Sequence, residues 1–292
     1  MVELNPIIVI GPVGRERHIL TSHNVLKMET GHGVAKYIIN DQTRLGGSGY
    51  FATWALIKLS VNVRFITNVG NSEWISKKLA QESLNQIIFD EHVGCTSDFV
   101  SVWDKNTGSK QLFVKSATDP TTSTIKRNLA QPPSTIISLS LRNSETYMHI
   151  ANDANEYGHK LFIVPNQTLL NQPRALKILM RTATGIFLNE AEAFCASRSN
   201  SVAGIQEWYQ QIDSRSTLIV THSGVKLSVL EPKCPVKSII LPRIDNVKYA
   251  LGGGDVFAAI ASAMWGTSIS LAHIEKASLV ATKLIGDLAP FK

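Results

Sequence analysis

Residues 44–74 read RLGGSGYFATWALIKLSVNVRFITNVGNSEW: two glycines, an apolar stretch with helical spacing, then a short β-branched run. Residues 48–59 repeat apolar side chains every three to four positions, which is the pattern of a packed helix. The run at 63–67 is apolar throughout, as a strand buried on both faces requires. A glycine loop, a helix and a buried strand in that order form half of a strand–helix–strand unit. Gly46 and Gly47 let backbone approach a ligand closely, or simply turn the chain into the helix; the dipeptide by itself does not choose.

The same alternation runs through the chain. Runs at 6–10 (PIIVI), 146–150 (TYMHI), 160–164 (KLFIV), 185–188 (GIFL) and 217–221 (TLIVT) read as strands. Stretches at 73–84, 174–183, 201–212 and 254–265 have helical periodicity. Strands alternating with helices predict an α/β fold with a doubly wound, mainly parallel sheet sandwiched by helices. Two segments break the rhythm, 14–45 and 95–118, where polar and apolar residues alternate around turn signals such as KNTGSK at 105–110. They predict strands with one wet face, either combined into a small β lid over the core or standing as surface hairpins. QPPS at 131–134 reads as a loop, and residues 1–292 read as a single domain carrying these insertions.

The bulk numbers narrow the function classes. The chain has 292 residues, 44% of them hydrophobic and 18% charged, enough to bury a sizeable core. Its net charge of +6 is spread without a basic block, and tryptophans such as Trp54, Trp208 and Trp265 fall in apolar helical patterns. Both observations speak against nucleic-acid binding, and the charge balance suits a small acidic substrate better. Cys95, Cys195 and Cys234 lie far apart in odd number, which suits reduced thiols better than a disulfide framework or a zinc site. No His-Glu-x-x-His arrangement occurs among the eight histidines, and His149 in TYMHI reads as a hydrogen-bonded core residue. The start MVELNPIIVIGPVG has no basic leader, and no apolar run approaches the roughly 18 residues that span a bilayer. A soluble, cytoplasmic protein with no membrane partner is the expectation.

Two further motifs carry chemistry. LGGGDVF at 251–257 places three glycines and a carboxylate at the mouth of an apolar helix. The first turn of a helix has unpaired N–H groups and the positive end of the dipole, so it attracts anions, and glycines let a phosphate approach. Asp255 beside such a pocket can take a proton from an attacking hydroxyl; it can equally cap the helix. In FLNEAEAF at 187–194, a strand ends at Asn189 and a helix begins with Glu190 and Glu192. Asn189 can cap that helix, while Asn and Glu oxygens also suit a hydrated magnesium ion and its phosphate partners.

In this order and at these separations, LGGSGYFATWALIKLSVNVRFITNVGN, Asn189-x-x-Glu192 and YALGGGDVF resemble the signatures of the PfkB or ribokinase family of carbohydrate and nucleoside kinases. The resemblance covers nearly the whole chain. It implies a ribokinase-like fold and transfer of the γ-phosphoryl group of ATP to a primary hydroxyl of a sugar, sugar derivative or nucleoside, with Mg2+ as cofactor. Carried over residue by residue, it makes Asp255 the catalytic base and Gly252, Gly253 and Gly254 the anion hole. Asn189 and Glu192 would organise magnesium and phosphate through water. Gly46, Gly47 and Ser48 would lie against the substrate, with Glu16 in GPVGRE at the place of an aspartate that grips substrate hydroxyls. Thr221, Ser223 and Gly224 in THSGVK fall where the family has its nucleotide loop. By analogy alone, the lid would mediate a homodimer.

The sequence departs from this pattern in four places. Tyr249 and Ala250 replace the Asp-Thr that opens the C-terminal signature, which argues against activation by a monovalent cation. Phe51 stands where sugar kinases often have an asparagine; it either stacks on a less hydroxylated substrate or faces the core. Ser223 and Lys226 occupy the usual glycine positions of the nucleotide loop, with Gly224 displaced. The sequence ends at ATKLIGDLAPFK, which predicts a more open nucleotide site. Such departures raise a second reading, a ribokinase-like protein that binds a small molecule or partner without turning it over; an intact Asp255 with its glycine triad favours the kinase.

Overall fold

Residues Ile7–Ile10 are apolar and buried on both faces, so this strand, β1, belongs inside a sheet. The computed structural model places it there, between two parallel neighbours. The structure describes residues 6–21, 38–82, 87–90, 94–106, 110–116, 118–222, 224–241, 251–266 and 270–288.

After β1 come β2 (Gly14–Thr21), β3 (Ile38–Gly46), α1 (Ser48–Lys58), β4 (Val63–Thr67), α2 (Glu73–Gln81) and β5 (Ile87–Phe89). Next are β6 (Ser97–Asp104), β7 (Lys110–Lys115), α3 (Thr122–Leu129), β8 (Thr135–Leu139), α4 (Ser144–Glu156) and β9 (Lys160–Val164). The chain continues through α5 (Gln167–Leu170), α6 (Pro173–Thr182), β10 (Gly185–Asn189), α7 (Glu190–Ser197), α8 (Val202–Gln211) and β11 (Thr217–His222). It closes with β12 (Lys226–Leu230), β13 (Lys237–Ile240), α9 (Gly253–Ala263), α10 (Leu271–Ile285) and a short 3-10 turn, Gly286–Leu288.

Among the described residues the main sheet has nine strands in the order β13-β12-β11-β10-β9-β8-β1-β4-β5. Its strands are parallel from β5 through β11, and β12 and β13 add an antiparallel edge. Two apolar layers cover it. On one face Phe65, Ile137, Phe162 and Ile219 pack against α1, α9 and α10; on the other Ile8, Ile136, Ile163 and Leu218 pack against α3, α4, α6 and α8. Each fully buried side chain of this size contributes about 2 kcal/mol through removal from water.

The two segments with alternating pattern supply a separate four-stranded sheet, β3-β2-β6-β7. Here β2 pairs antiparallel with β3 and parallel with β6, and β6 pairs antiparallel with β7. Strand β2 shows the burial alternation that its sequence pattern requires. Residues 22–37 and the tip of the KNTGSK turn, 107–109, lie outside the described residues.

One strand expectation fails. TYMHI is helical, part of α4, because Tyr147, Ile150, Ala151 and Ala154 form one buried stripe at helical spacing. His149 therefore lies on the exposed side of that helix and is not a core residue. The strand beside β1 is instead TIISL, β8, directly after the QPPS loop. Of the three tryptophans read as core, Trp265 is buried, while Trp54 and Trp208 are half-buried against the two layers. Among the described residues, no helix is long and apolar enough to cross a membrane.

Candidate active site

Strand order reverses at β1, whose neighbours β4 and β8 lead the chain outward in opposite directions. Such a reversal leaves a crevice at the carboxyl ends of the strands, because the connections on either side depart to opposite faces. A cavity of about 360 Å³ occupies it, walled by Gly11 and Pro12 after β1, Ser140 and Leu141 after β8, and Ser97 and Phe99 of the small sheet. A second cavity, about 230 Å³, lies against Asn189, Glu192, Thr221, Gly252, Gly254 and Asp255. Ser48 and Ser140 line both, so the two spaces meet at a pair of hydroxyls. Ser48 Oγ donates to Ser140 Oγ at 3.0 Å.

The second cavity is built on the entry to α9. Gly252 is the N-cap, in the left-handed region with φ 79°, and among the described residues no side chain caps the helix. The first helical bond runs from Val256 N–H to the Gly252 carbonyl, 3.0 Å, leaving the N–H groups of Gly253, Gly254 and Asp255 without helical partners. Among the described residues a Cβ on Gly254 would meet nothing within 4 Å, so its backbone borders open space. Unpaired N–H groups at a helix entry are chemically suited to an anion. Asp255 is half-buried at its edge. Burial, followed by the negative charges of Glu192 and Glu16, pushes its carboxyl up to about 7, against the opposing pull of a hydrogen bond from Ser48.

Opposite Asp255, Asn189 and Glu192 form a reciprocal capping box on α7. Asn189 Oδ1 accepts from Glu192 N–H at 2.9 Å, and Glu192 Oε2 accepts from Asn189 N–H at 2.8 Å. Burial raises the Glu192 pKa, against those hydrogen bonds. Capping thus uses one oxygen of each residue, and both residues line the cavity. No group of three His, Cys, Asp or Glu that could hold a metal directly occurs among the described residues. The carboxyl oxygens of Glu192 and Asp255 on one cavity are nevertheless donors of the kind a hydrated magnesium ion takes, since magnesium keeps most of its waters. Thr221, one residue before the end of β11, lines the same cavity, and Gly224 in the following turn has φ 76°. His222 ties this corner together: Nδ1 pairs with Glu190 Oε1 at 2.8 Å and Nε2 with Ser228 Oγ at 2.9 Å. Ser223, Tyr249 and Ala250 lie outside the described residues.

The residues at the start of the chain have strong packing roles. Glu16 is 2% exposed, and its Oε2 meets His18 Nε2 at 3.1 Å and Arg44 Nη2 at 3.3 Å. A Cβ on Gly46 would stand 2.0 Å from Glu16 Cδ, and one on Gly47 would stand 2.7 Å from the Pro12 carbonyl oxygen. Close approach of protein to protein therefore already demands both glycines. Phe51, 2% exposed, belongs to the core layer between α1 and α9, with the Arg44 guanidinium 5.5 Å from its ring centroid.

Several cavity residues had no signal in the sequence. Ser140 follows β8 with φ 48°, and its place was hidden by the misassigned strand at 146–150. Asp119 accepts from the backbone N–H groups of Arg142 and Asn143 at 2.7 and 2.8 Å and from Thr146 Oγ1 at 3.2 Å, so it caps α4 from a distant loop. Asn68, Asp119 and Arg142 all line the larger cavity.

No protein-family model matches the chain, and no curated protein matches it in sequence. Solved structures do resemble it. Phosphofructokinase-2 from Escherichia coli, in complex with substrates and products, is similar over 97% of this chain and 93% of its own, with TM-score 0.77 and 12% identity. Ribokinase from Thermotoga maritima is similar over 96% of this chain and 92% of its own, with TM-score 0.75 and 16% identity. A nucleoside kinase from Burkholderia thailandensis, in complex with inosine, is similar over 96% and 91%, with TM-score 0.72 and 13% identity. A mostly parallel sheet between two helical layers, a small second sheet and this likeness along almost the whole chain together show that the protein has the ribokinase-like fold.

Proposed function

We propose that this protein is an ATP-dependent phosphotransferase that moves a γ-phosphoryl group to a primary hydroxyl of a sugar, sugar derivative or nucleoside. The observation that carries this reading is Asp255: a carboxyl with a pKa near 7, at the free N–H groups of α9, on a cavity that meets a second one at Ser48 and Ser140. A base with this pKa suits proton transfer near neutral pH. The similar solved structures include sugar and nucleoside kinases, which supports a kinase reaction on this fold.

In this reading the acceptor occupies the larger cavity and points its hydroxyl past Ser48 toward Asp255. The hydroxyl oxygen bonds to the γ-phosphorus while the bond from that phosphorus to the β–γ bridging oxygen breaks. The hydroxyl proton passes to Asp255, and ADP keeps the bridging oxygen. The N–H groups of Gly253, Gly254 and Asp255 stabilise charge on the moving phosphoryl group, an effect large because they are fixed before the reaction. Magnesium, held through water by Glu192 and Asn189, would neutralise charge on the nucleotide phosphates. The small sheet covers the acceptor cavity and excludes water, which would otherwise compete as acceptor. Its outer strand β7 exposes Leu112, Phe113 and Val114, the surface where we place a second copy of the chain. Exposed, unpaired Cys95, Cys195 and Cys234 suit a reducing cytoplasm.

The test is an ATP-consumption screen with magnesium across pentoses, hexoses, sugar acids, sugar phosphates and nucleosides, run beside thermal shifts for each compound. Turnover that disappears in Asp255→Asn supports the kinase. Ligand-induced thermal shifts without any turnover would replace it with a small-molecule-binding role.

A further inference from the structure

Five non-glycine residues have left-handed backbone among the described residues. Ser60, Arg198 and Asp213 close helices, Lys233 lies in the turn between β12 and β13, and Ser140 alone lines the two cavities. A Cβ is penalised in that region and glycine is favoured, so Ser140 carries its hydroxyl at a conformational cost. The turn around it is fixed by four consecutive N–H groups, each with an acceptor. Ser140 donates to the Val164 carbonyl at 2.8 Å, Leu141 to Tyr147 Oη at 2.9 Å, and Arg142 and Asn143 to the Asp119 carboxylate at 2.7 and 2.8 Å. Tyr147 is buried, and its own O–H donates to the same Val164 carbonyl at 3.2 Å. Backbone determined from so many sides can hold an unfavourable φ, and such positions cluster at functional sites.

The hydroxyl so placed meets Ser48. The two Oγ atoms are 3.0 Å apart, and Ser48 also bonds to the Asp255 carboxyl. Ser48 stands on fixed backbone as well, since it opens α1, where the N–H groups of Gly49 and Tyr50 donate to the Pro12 carbonyl at 3.1 and 3.3 Å. A hydroxyl has one proton to give, so Ser48 cannot donate to Ser140 and to Asp255 at once. An ionised carboxylate is the stronger acceptor. With Asp255 ionised, Ser48 therefore donates to Asp255 and accepts from the Ser140 O–H, and its rotor is held at both ends. The bond from Ser48 to Ser140 belongs to the arrangement in which Asp255 carries the proton.

We propose that Ser140 is a positioning residue for phosphoryl transfer: through Ser48 it holds the Asp255 carboxylate in the orientation that meets the acceptor hydroxyl where the two cavities join. This rests on reading the protein as a kinase whose acceptor occupies the larger cavity. Ser140 acts on the base and not on the acceptor, so its loss falls on rate and not on affinity.

ADP formation from ATP with magnesium is measured on the full chain, with D-ribose, D-fructose 6-phosphate, D-gluconate and inosine as acceptor probes. Ser140→Gly removes the hydroxyl and relieves the left-handed backbone, so a serine that only makes the turn would be replaced without loss. We expect kcat to fall about tenfold, with acceptor KM within about twofold and no loss of Tm. Added to Ser48→Ala, the same substitution should cost nothing further, because Ser140 acts through Ser48. Unchanged kcat in Ser140→Gly, a change confined to KM, a fall in kcat matched by a fall in Tm, or losses that multiply in the double variant each overturn the proposal and leave the kinase reading standing. No turnover by the unaltered protein with any probe sinks the kinase reading, and the proposal falls with it.

Discussion

Phe51 and Gly252 share one space: a Cβ on Gly252 would stand 2.4 Å from Phe51 Cδ2 and 2.8 Å from Cγ. The aromatic ring of α1 thus sets the backbone position of the entry to α9. Gly252→Ala meets both this clash and the left-handed φ of 79°, costs of about 1–3 and 1–2 kcal/mol respectively. We expect a lower Tm and a loss of kcat greater than the loss of substrate affinity. Adding Phe51→Leu to Gly252→Ala should recover part of both, and a double variant no better than the single one would refute the coupling.

Asp255 sets a pH dependence with two opposite signs. Its folded pKa near 7 lies above the ordinary 3.8, so the folded protein holds this proton more tightly than the unfolded chain. Its contribution to stability is therefore full below about pH 4 and declines as pH climbs to about 7. Activity moves the other way, since the base must be ionised. We expect kcat/KM to rise with pH through an inflection near 7, and Asp255→Asn to lower kcat by about 10²–10⁴ while raising Tm at pH 8 more than at pH 5. A flat pH–rate profile, or full activity in the variant, would exclude Asp255 as the base.

The capping box on α7 separates two roles of Asn189 and Glu192. Asn189→Ala removes the cap and should cost about 1 kcal/mol, read as Tm. Glu192→Gln retains an acceptor for Asn189 N–H yet removes the charge, so it should leave Tm nearly unchanged and raise the magnesium concentration needed for half-maximal rate. An unaltered magnesium titration in Glu192→Gln would confine the pair to capping.

Arg44 pins the small sheet to the core. It donates to Glu16 on the neighbouring strand, stacks over Phe51 and donates to the Leu288 carbonyl in the final turn. Arg44→Met leaves a buried Glu16 carboxylate without its cation, a change that costs about 3 kcal/mol or more. The double variant with Glu16→Gln should regain most of that Tm loss. Failure of the second substitution to help would mean that Arg44 acts through the Phe51 and Leu288 contacts instead.

Much of this was legible in the chain. The apolar runs at 6–10, 63–67 and 160–164 read as interior strands, and LGGGDVF could be placed at a helix entry from the physics of unpaired N–H groups. The strand at 135–139 escaped because QPPS reads as a loop and TYMHI, cut off at Ile150, hides the stripe that continues to Ala151 and Ala154. With that strand misplaced, Ser140, Leu141 and Arg142 could not be assigned to a cavity. Asn68 and Asp119 gave no sign either: only tertiary packing brings them to the cavity wall. Motifs located the cavity at the entry to α9, while the larger cavity is assembled from distant loops.

That assembly has a consequence for how the protein reaches its working state. The larger cavity opens between β1 and β8, whose pairing, Ile8 against Ile136, joins segments far apart in the chain. Closing such a distant parallel pair is slow compared with forming local helices. Ligand binding should therefore return late during refolding, after most helical signal has recovered, which makes occupancy of this cavity a reporter of completed topology.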